Sequence, residues 1–92
     1  LTIDDIHSWQ INEAFAAQVL ACVKAWQDEE YCQKQLGLKT AMGKIPKNSL
    51  NVHGGAISIG HPIGASGARI VLRLAKILQM EKKQKGVASL CI

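Results

Sequence analysis

The sequence predicts an α/β fold, a βαβαβ unit in which crossover helices connect the strands of a mostly parallel sheet. Two observations predict it. Short apolar runs alternate with two longer stretches of helical periodicity, in the order strand, helix, strand, helix, strand. The composition, 48% hydrophobic and 20% charged, is that of an ordinary folded chain and argues against wholesale disorder.

Taken in order, Thr2 to Ile6 reads as a short capped turn, and Ile6 to Ile11 alternates loosely as a strand with Ile6, Trp9 and Ile11 apolar. Asn12 suits a helix N-cap, and Glu13 in the first turn complements the helix dipole. The helix from Ala14 to about Glu30 places Phe15, Val19, Cys22, Val23 and Trp26 along one stripe. From Ala14 to Val23 only Gln18 is polar, so this helix start is expected to be covered on most sides. A short helix is expected near Tyr31 to Leu36. The rest of 31–49, punctuated by Gly37, Gly43 and Pro46 and kept wet by Lys39, Lys44 and Lys47, is expected to be a surface excursion.

Leu50 to Ile59 reads as a strand bent at Gly54 and Gly55. A second helix follows from about Ser66 to Lys83. Its apolar stripe is Ile70, Leu74, Ile77 and Leu78, with Arg69, Arg73 and Lys76 opposite and Gly86 as its C-cap. Val87 to Ile92 is short and apolar enough for a buried strand.

With 92 residues the chain is one small domain or part of a larger one. Leu1 stands in place of an initiator Met and the sequence stops inside an apolar run, so both ends are expected to be truncated. No run approaches the roughly 20 apolar residues of a membrane span. The net charge of +4 comes mainly from lysines between Lys39 and Lys47 and between Lys76 and Lys85. The run Lys82-Lys83-Gln84-Lys85 lacks interleaved aromatics and reads as a solvated helix C-terminus, not as a nucleic-acid patch. Cys22, Cys32 and Cys91 form no Cys-x-x-Cys pattern and fit reduced thiols in a cytosol-like compartment.

The segment Asn51 to Arg69 carries the strongest functional signal. Gly54, Gly55, Gly60, Gly64 and Gly67 bracket His61, and Pro62 fixes the backbone just after the imidazole, a pattern that aims a side chain. Active groups in parallel sheets gather beyond the carboxyl ends of strands. Asn12, His61 and Cys91 all fall there. The spacing Gly60-x-x-x-Gly64-x-x-Gly67 matches neither common nucleotide-binding pattern. An imidazole near a thiol can take its proton or donate to a developing oxyanion. A lone His is as often structural, a Cys is more often buried packing, and an Asn is most simply a cap. Spacing alone therefore yields a candidate site without a reaction.

Three motifs, in order, resemble those of the thiolases, enzymes that make or cleave the carbon–carbon bond of 3-ketoacyl-CoA thioesters. They are Asn12-Glu-Ala-Phe-Ala16, the Asn51 to Arg69 segment with its Gly-His-Pro-x-Gly-x-Ser-Gly core, and Gly86-Val-Ala-Ser-Leu-Cys91. The resemblance implies the C-terminal part of the thiolase fold. It implies that His61 activates a nucleophilic cysteine and helps bind a thioester oxyanion, and that Asn12 holds a water in the same oxyanion hole. Cys91 then resembles the second catalytic cysteine, which removes the α-proton of the incoming acetyl-CoA. Ala14 and Phe15 are implied to lie beside the pantetheine and acyl end, with Glu13 in a supporting or capping role and Gly60, Gly64 and Gly67 shaping the loop.

The resemblance further implies acyl-CoA and CoA as substrates, with no separate cofactor, metal, nucleic acid or membrane partner. A homodimeric or homotetrameric parent is expected, in the cytoplasm, or in a mitochondrion or peroxisome in a eukaryote. The sequence also departs from the family. Nothing here matches the nucleophilic cysteine of the N-terminal half or the glycine-rich continuation after the second cysteine, so the chain alone is expected to be inactive. His53 stands where an asparagine is common, and Trp26 to Ser49 is longer than in compact biosynthetic members. The alternatives are a long-chain 3-ketoacyl-CoA thiolase of β-oxidation and a non-catalytic CoA- or lipid-binding relative.

Overall fold

The computed structural model of the chain describes residues 1–91. At its centre two strands pair in parallel, β1 (Ser8–Ile11) and β2 (Gly86–Ser89), with Ser8 opposite Gly86 and Ile11 opposite Ser89. All four residues of β1 are buried, as expected of a parallel strand covered on both faces. Trp9 and Ile11 join Ile3, Val19 and Ile45 in the core, where Trp9 lies tilted against Trp26 with ring centroids 6.1 Å apart.

Before β1, Ile3–Asp5 form the expected capped turn. The backbone N–H of Thr2 donates to Asp5 Oδ2 at 2.7 Å and holds that carboxyl below its ordinary range.

The first predicted helix is divided in two. Helix α1 (Ala16–Gln27) stops at Asp28, whose backbone is extended and whose side chain accepts from the Tyr31 N–H at 3.1 Å to cap α2 (Glu29–Leu36). Aspartate competes for backbone donors in this way, which favours caps over helix interiors. Gly37, in the left-handed region, ends α2. Helix α1 also begins later than expected. Asn12 is not its cap: its N–H continues the sheet, donating to Ser89 O at 2.8 Å. Val19, Val23 and Trp26 pack on the core, but Phe15 is 74% exposed and Leu20 68% exposed, so the start of α1 is not covered in this chain.

The predicted middle strand is reduced to one parallel bridge, Leu50 to Trp9. Asn51 (φ 47°) and Gly54 (φ 85°) turn the chain away, and a single helical turn, α3 (Ala56–Ile59), replaces the rest. Two left-handed positions three residues apart do not fit an extended strand. Helix α4 (Ile63–Glu81) then begins directly after Pro62, three residues earlier than expected. It packs against both strands, with Ile77 buried. Lys82 (φ 55°), not Gly86, ends it, and Gly86 opens β2. A Cβ at Gly86 would sit 2.5 Å from Leu74 Cδ1, so the missing side chain lets strand and helix approach closely. The predicted last strand ends at Ser89, and its final residue, Ile92, lies outside the described residues.

The excursion after α2 is not wholly superficial. Ile45 is 3% exposed within the core cluster, and the Gly43 N–H donates to Trp26 O at 3.0 Å. Cys32 is fully buried beside the Ala25 and Trp26 carbonyls and Cys22 is half-buried, as packing residues, whereas Cys91 is exposed instead of buried. Replacing Ile45 by Ala should cost about 2–5 kcal/mol in denaturant unfolding. The neighbouring Lys44→Ala should stay within about 0.5 kcal/mol of the parent. Equal effects would show that the loop does not belong to the core.

Candidate active site

The site is built where the two strands end. Asn12 follows β1, is 4% exposed, and turns its side chain towards His61, with Asn12 Nδ2 3.4 Å from His61 Nε2. His61 precedes α4 and its ring lies over the first turn of that helix, where Nδ1 lies 2.5 Å from Ser66 Oγ. Ser66 is buried and its hydroxyl also donates to the Pro62 carbonyl at 3.1 Å. Asn12 and His61, 49 residues apart in sequence, are thus brought together.

Cys91 lies two residues beyond β2, at the same end of the sheet as Asn12, whose N–H is bonded to Ser89. It is exposed, and no hydrogen bond joins it to His61 among the described residues. Its neighbour Leu90 would meet a Cβ at Gly67 at 3.6 Å, so the chain leading to Cys91 runs against the start of α4. Ala14 is half-buried and Phe15 projects into solvent on the segment between Asn12 and α1.

The loop bearing His61 is held by groups that sequence reasoning missed. The Arg69 guanidinium donates to Gly60 O at 2.8 Å and that of Arg73 donates to His53 O at 2.7 Å. Both arginines are half-buried loop staples, not a solvated face opposite the apolar stripe. The Asn51 side chain pairs with the main chain of Ile11 in both senses, accepting from its N–H and donating to its carbonyl at 2.9 Å each. Glu13 accepts from Asn51 Nδ2 at 3.3 Å and from the Ile57 N–H at 3.2 Å, so it caps α3 rather than its own helix. A Cβ at Gly55 would collide with that carboxylate. Only the residue types hinted at these contacts: Asn tolerates the left-handed turn, and Arg has five donors in a fixed fork.

The three loop glycines differ. Gly60 (φ 91°, ψ 161°) occupies a region that is essentially glycine-only. Gly64 lies in the first turn of α4, where a Cβ would meet nothing, and Gly67 allows ordinary contact with Leu90. Together the arrangement brings an imidazole nitrogen and a carboxamide within 3.4 Å of each other, at the end of the sheet from which the exposed Cys91 follows. Such a set can move a proton and stabilise a developing oxyanion.

Residues 1–92 match the family model described as "Thiolase, C-terminal domain". The chain is 41% identical over 91 residues to a probable 3-ketoacyl-CoA thiolase of Caenorhabditis elegans, covering 99% of this chain and 20% of that protein. It is 47% identical over 92 residues to an acetyl-CoA acetyltransferase of Syntrophomonas wolfei, covering 100% of this chain and 19% of that protein. The solved structure of an acetyl-CoA acetyltransferase from Syntrophomonas wolfei superposes with a TM-score of 0.72 at 35% identity, over 97% of this chain and 20% of the other. The chain therefore spans about a fifth of the length of the relatives it matches.

The loop geometry makes a contrast testable. Gly60→Ala should destabilise by about 1–3 kcal/mol because of its backbone conformation. Gly64→Ala should be neutral or stabilise by up to about 1 kcal/mol, as a helical site with free space. Unfolding midpoints in the opposite order would contradict the loop conformation described.

Proposed function

Since the chain belongs to the thiolase family, matching its C-terminal domain, we propose that it supplies part of the active site of an acyltransferase acting on CoA thioesters. In this reading the whole protein transfers an acetyl group between CoA thioesters. It condenses two acetyl-CoA to acetoacetyl-CoA, or runs the reverse thiolysis, through an acyl group carried on a cysteine outside these 92 residues. The observation that carries the reading is the approach of Asn12 Nδ2 to His61 Nε2 at 3.4 Å, at the end of the sheet from which Cys91 follows.

The chemistry explains why such groups are wanted together. The α-carbon of a thioester gives up a proton only if the enolate oxygen is met by donors already in place. His61, once protonated, and a water held by Asn12 would be two such donors. The Cys91 thiolate would take the α-proton, and its exposure leaves it open to a substrate. His61 Nε2 would also receive the proton of the acyl-carrying cysteine as that thiol becomes a thiolate. The exposed ring of Phe15, with Ala14 beside it, would flank the pantetheine and acyl end of the substrate.

The site's partners on this account are acyl-CoA and CoA, in an assembly of two or four subunits, with no further cofactor. The reaction would take place in the cytoplasm, or in a mitochondrion or peroxisome of a eukaryotic source. No helix among the described residues is long and apolar enough to cross a membrane. A second reading is a 3-ketoacyl-CoA thiolase of β-oxidation handling longer chains; the Caenorhabditis elegans relative is named a probable 3-ketoacyl-CoA thiolase. Relative turnover of short and long 3-ketoacyl-CoAs by the full-length protein separates the two.

Replacing His61 by Ala in the full-length protein should lower acetoacetyl-CoA thiolysis by about 100- to 10,000-fold without loss of folding. Unchanged thiolysis would favour a non-catalytic use of the fold. The 92-residue chain alone should show no thiolysis, and measurable turnover by it would remove the need for a cysteine supplied from elsewhere.

A further inference from the structure

We propose that Ser66 is a positioning residue that sets the tautomer of His61, holding the ring proton on Nδ1 and leaving Nε2 as the bare nitrogen that faces Asn12. The functional consequence rests on the reading of His61 given above, while the tautomer itself can be read without any activity.

A hydroxyl has one proton to donate and two lone pairs to offer. Ser66 is 1% exposed, so water does not compete for either. Its Oγ has two neighbours, the Pro62 carbonyl at 3.1 Å and His61 Nδ1 at 2.5 Å. A carbonyl can only accept, so with the hydroxyl proton turned to Pro62 it is a lone pair that faces the ring. In that arrangement Nδ1 carries the hydrogen.

A neutral imidazole has one N–H, so Nε2 is left with its lone pair. The group that Nε2 faces, Asn12 Nδ2 at 3.4 Å, is a donor. The opposite tautomer would set two donors against each other there. All three contacts agree on one arrangement.

This arrangement suits the proposed chemistry. The nitrogen turned towards the site begins as a base able to take a thiol proton. Once it has done so, it presents an N–H to a developing oxyanion, while Nδ1–H keeps its partner. With the proton starting on Nε2, no proton could be accepted on the working side.

The hydroxyl is not needed to build the helix start. Pro62 O already receives the backbone N–H groups of Ala65 at 2.8 Å and Ser66 at 2.9 Å. Removing the hydroxyl should therefore free the ring without undoing the turn.

Long-range nitrogen–proton NMR on protein labelled with nitrogen-15 at histidine, at a pH where His61 is neutral, reads the tautomer directly. The parent should show Nδ1 protonated and Nε2 bare, Ser66→Thr should preserve that pattern, and Ser66→Ala should move it towards a mixture. A predominant Nε2–H form in the parent, or a Ser66→Ala spectrum that keeps the parent pattern, would overturn the proposal. In the full-length enzyme Ser66→Ala should lower kcat by about 10- to 100-fold with KM changed less than about two-fold, and Ser66→Thr should restore it. A full-length protein without thiolysis would overturn the proposed function but leave the tautomer assignment to be judged by the spectra.

Discussion

The structure depends on the parallel pairing of β1 with β2 and on its extension by one residue, through the Asn12 N–H to Ser89 O bond of 2.8 Å. Parallel strands must be joined by a long crossover, so this pairing brings the two ends of the described chain together. Everything between them folds over the faces of the sheet. Because β1 is buried on both faces, helix α1 and the Ile45 loop close one side and α4 the other. The ladder also fixes which residues emerge at its carboxyl end. Asn12 is held there by its backbone, which leaves its side chain free to meet His61. Had Asn12 capped α1 instead, its carboxamide would have been spent on that helix.

His61 is delivered by a different device. Beyond the Leu50 bridge and the Asn51 N–H to Trp9 O bond, the segment leading to α4 is not paired to the sheet, and side chains stand in for the missing ladder. Asn51 copies a strand partner for Ile11, Glu13 holds the start of α3, and Arg69 and Arg73 bind loop carbonyls. Gly60 supplies a backbone conformation that other residues do not adopt readily, and Pro62 starts the helix that carries Ser66 beneath the ring. Each bond is modest by itself, about 0.5–1.5 kcal/mol net for a neutral pair and more where a charge is involved. Together they hold the loop that presents the imidazole to Asn12.

Much of this was legible in the sequence. The apolar run of β1, the long stripe of α4 and the short run of β2 carry their periodicity openly, and their order implies parallel pairing. Asn12, His61 and Cys91 stood out through three motifs in order. What was not legible depended on partners distant in sequence. Leu50 to Ile59 looks like a strand until the Asn51 amide is seen bonded to Ile11, 40 residues away. Asn12 has the local preference of a cap, but Ser89 claims its N–H. Ile45 sits alone among lysines, with no periodicity to mark it as core. Ser66, Arg69 and Arg73 reach backwards across a turn, a direction that helical patterning does not register.

The central claim is that Asn12 and His61, joined at the end of the sheet, work on the substrate as one unit. The most direct test is a double-mutant cycle on kcat/KM for thiolysis by the full-length protein, using Asn12→Ala, His61→Ala and the pair. A coupling of about 0.5–3 kcal/mol, with the double variant little worse than His61→Ala alone, is the predicted result. Losses that add to within about 0.3–0.5 kcal/mol would mean that the two residues act independently and would contradict the account.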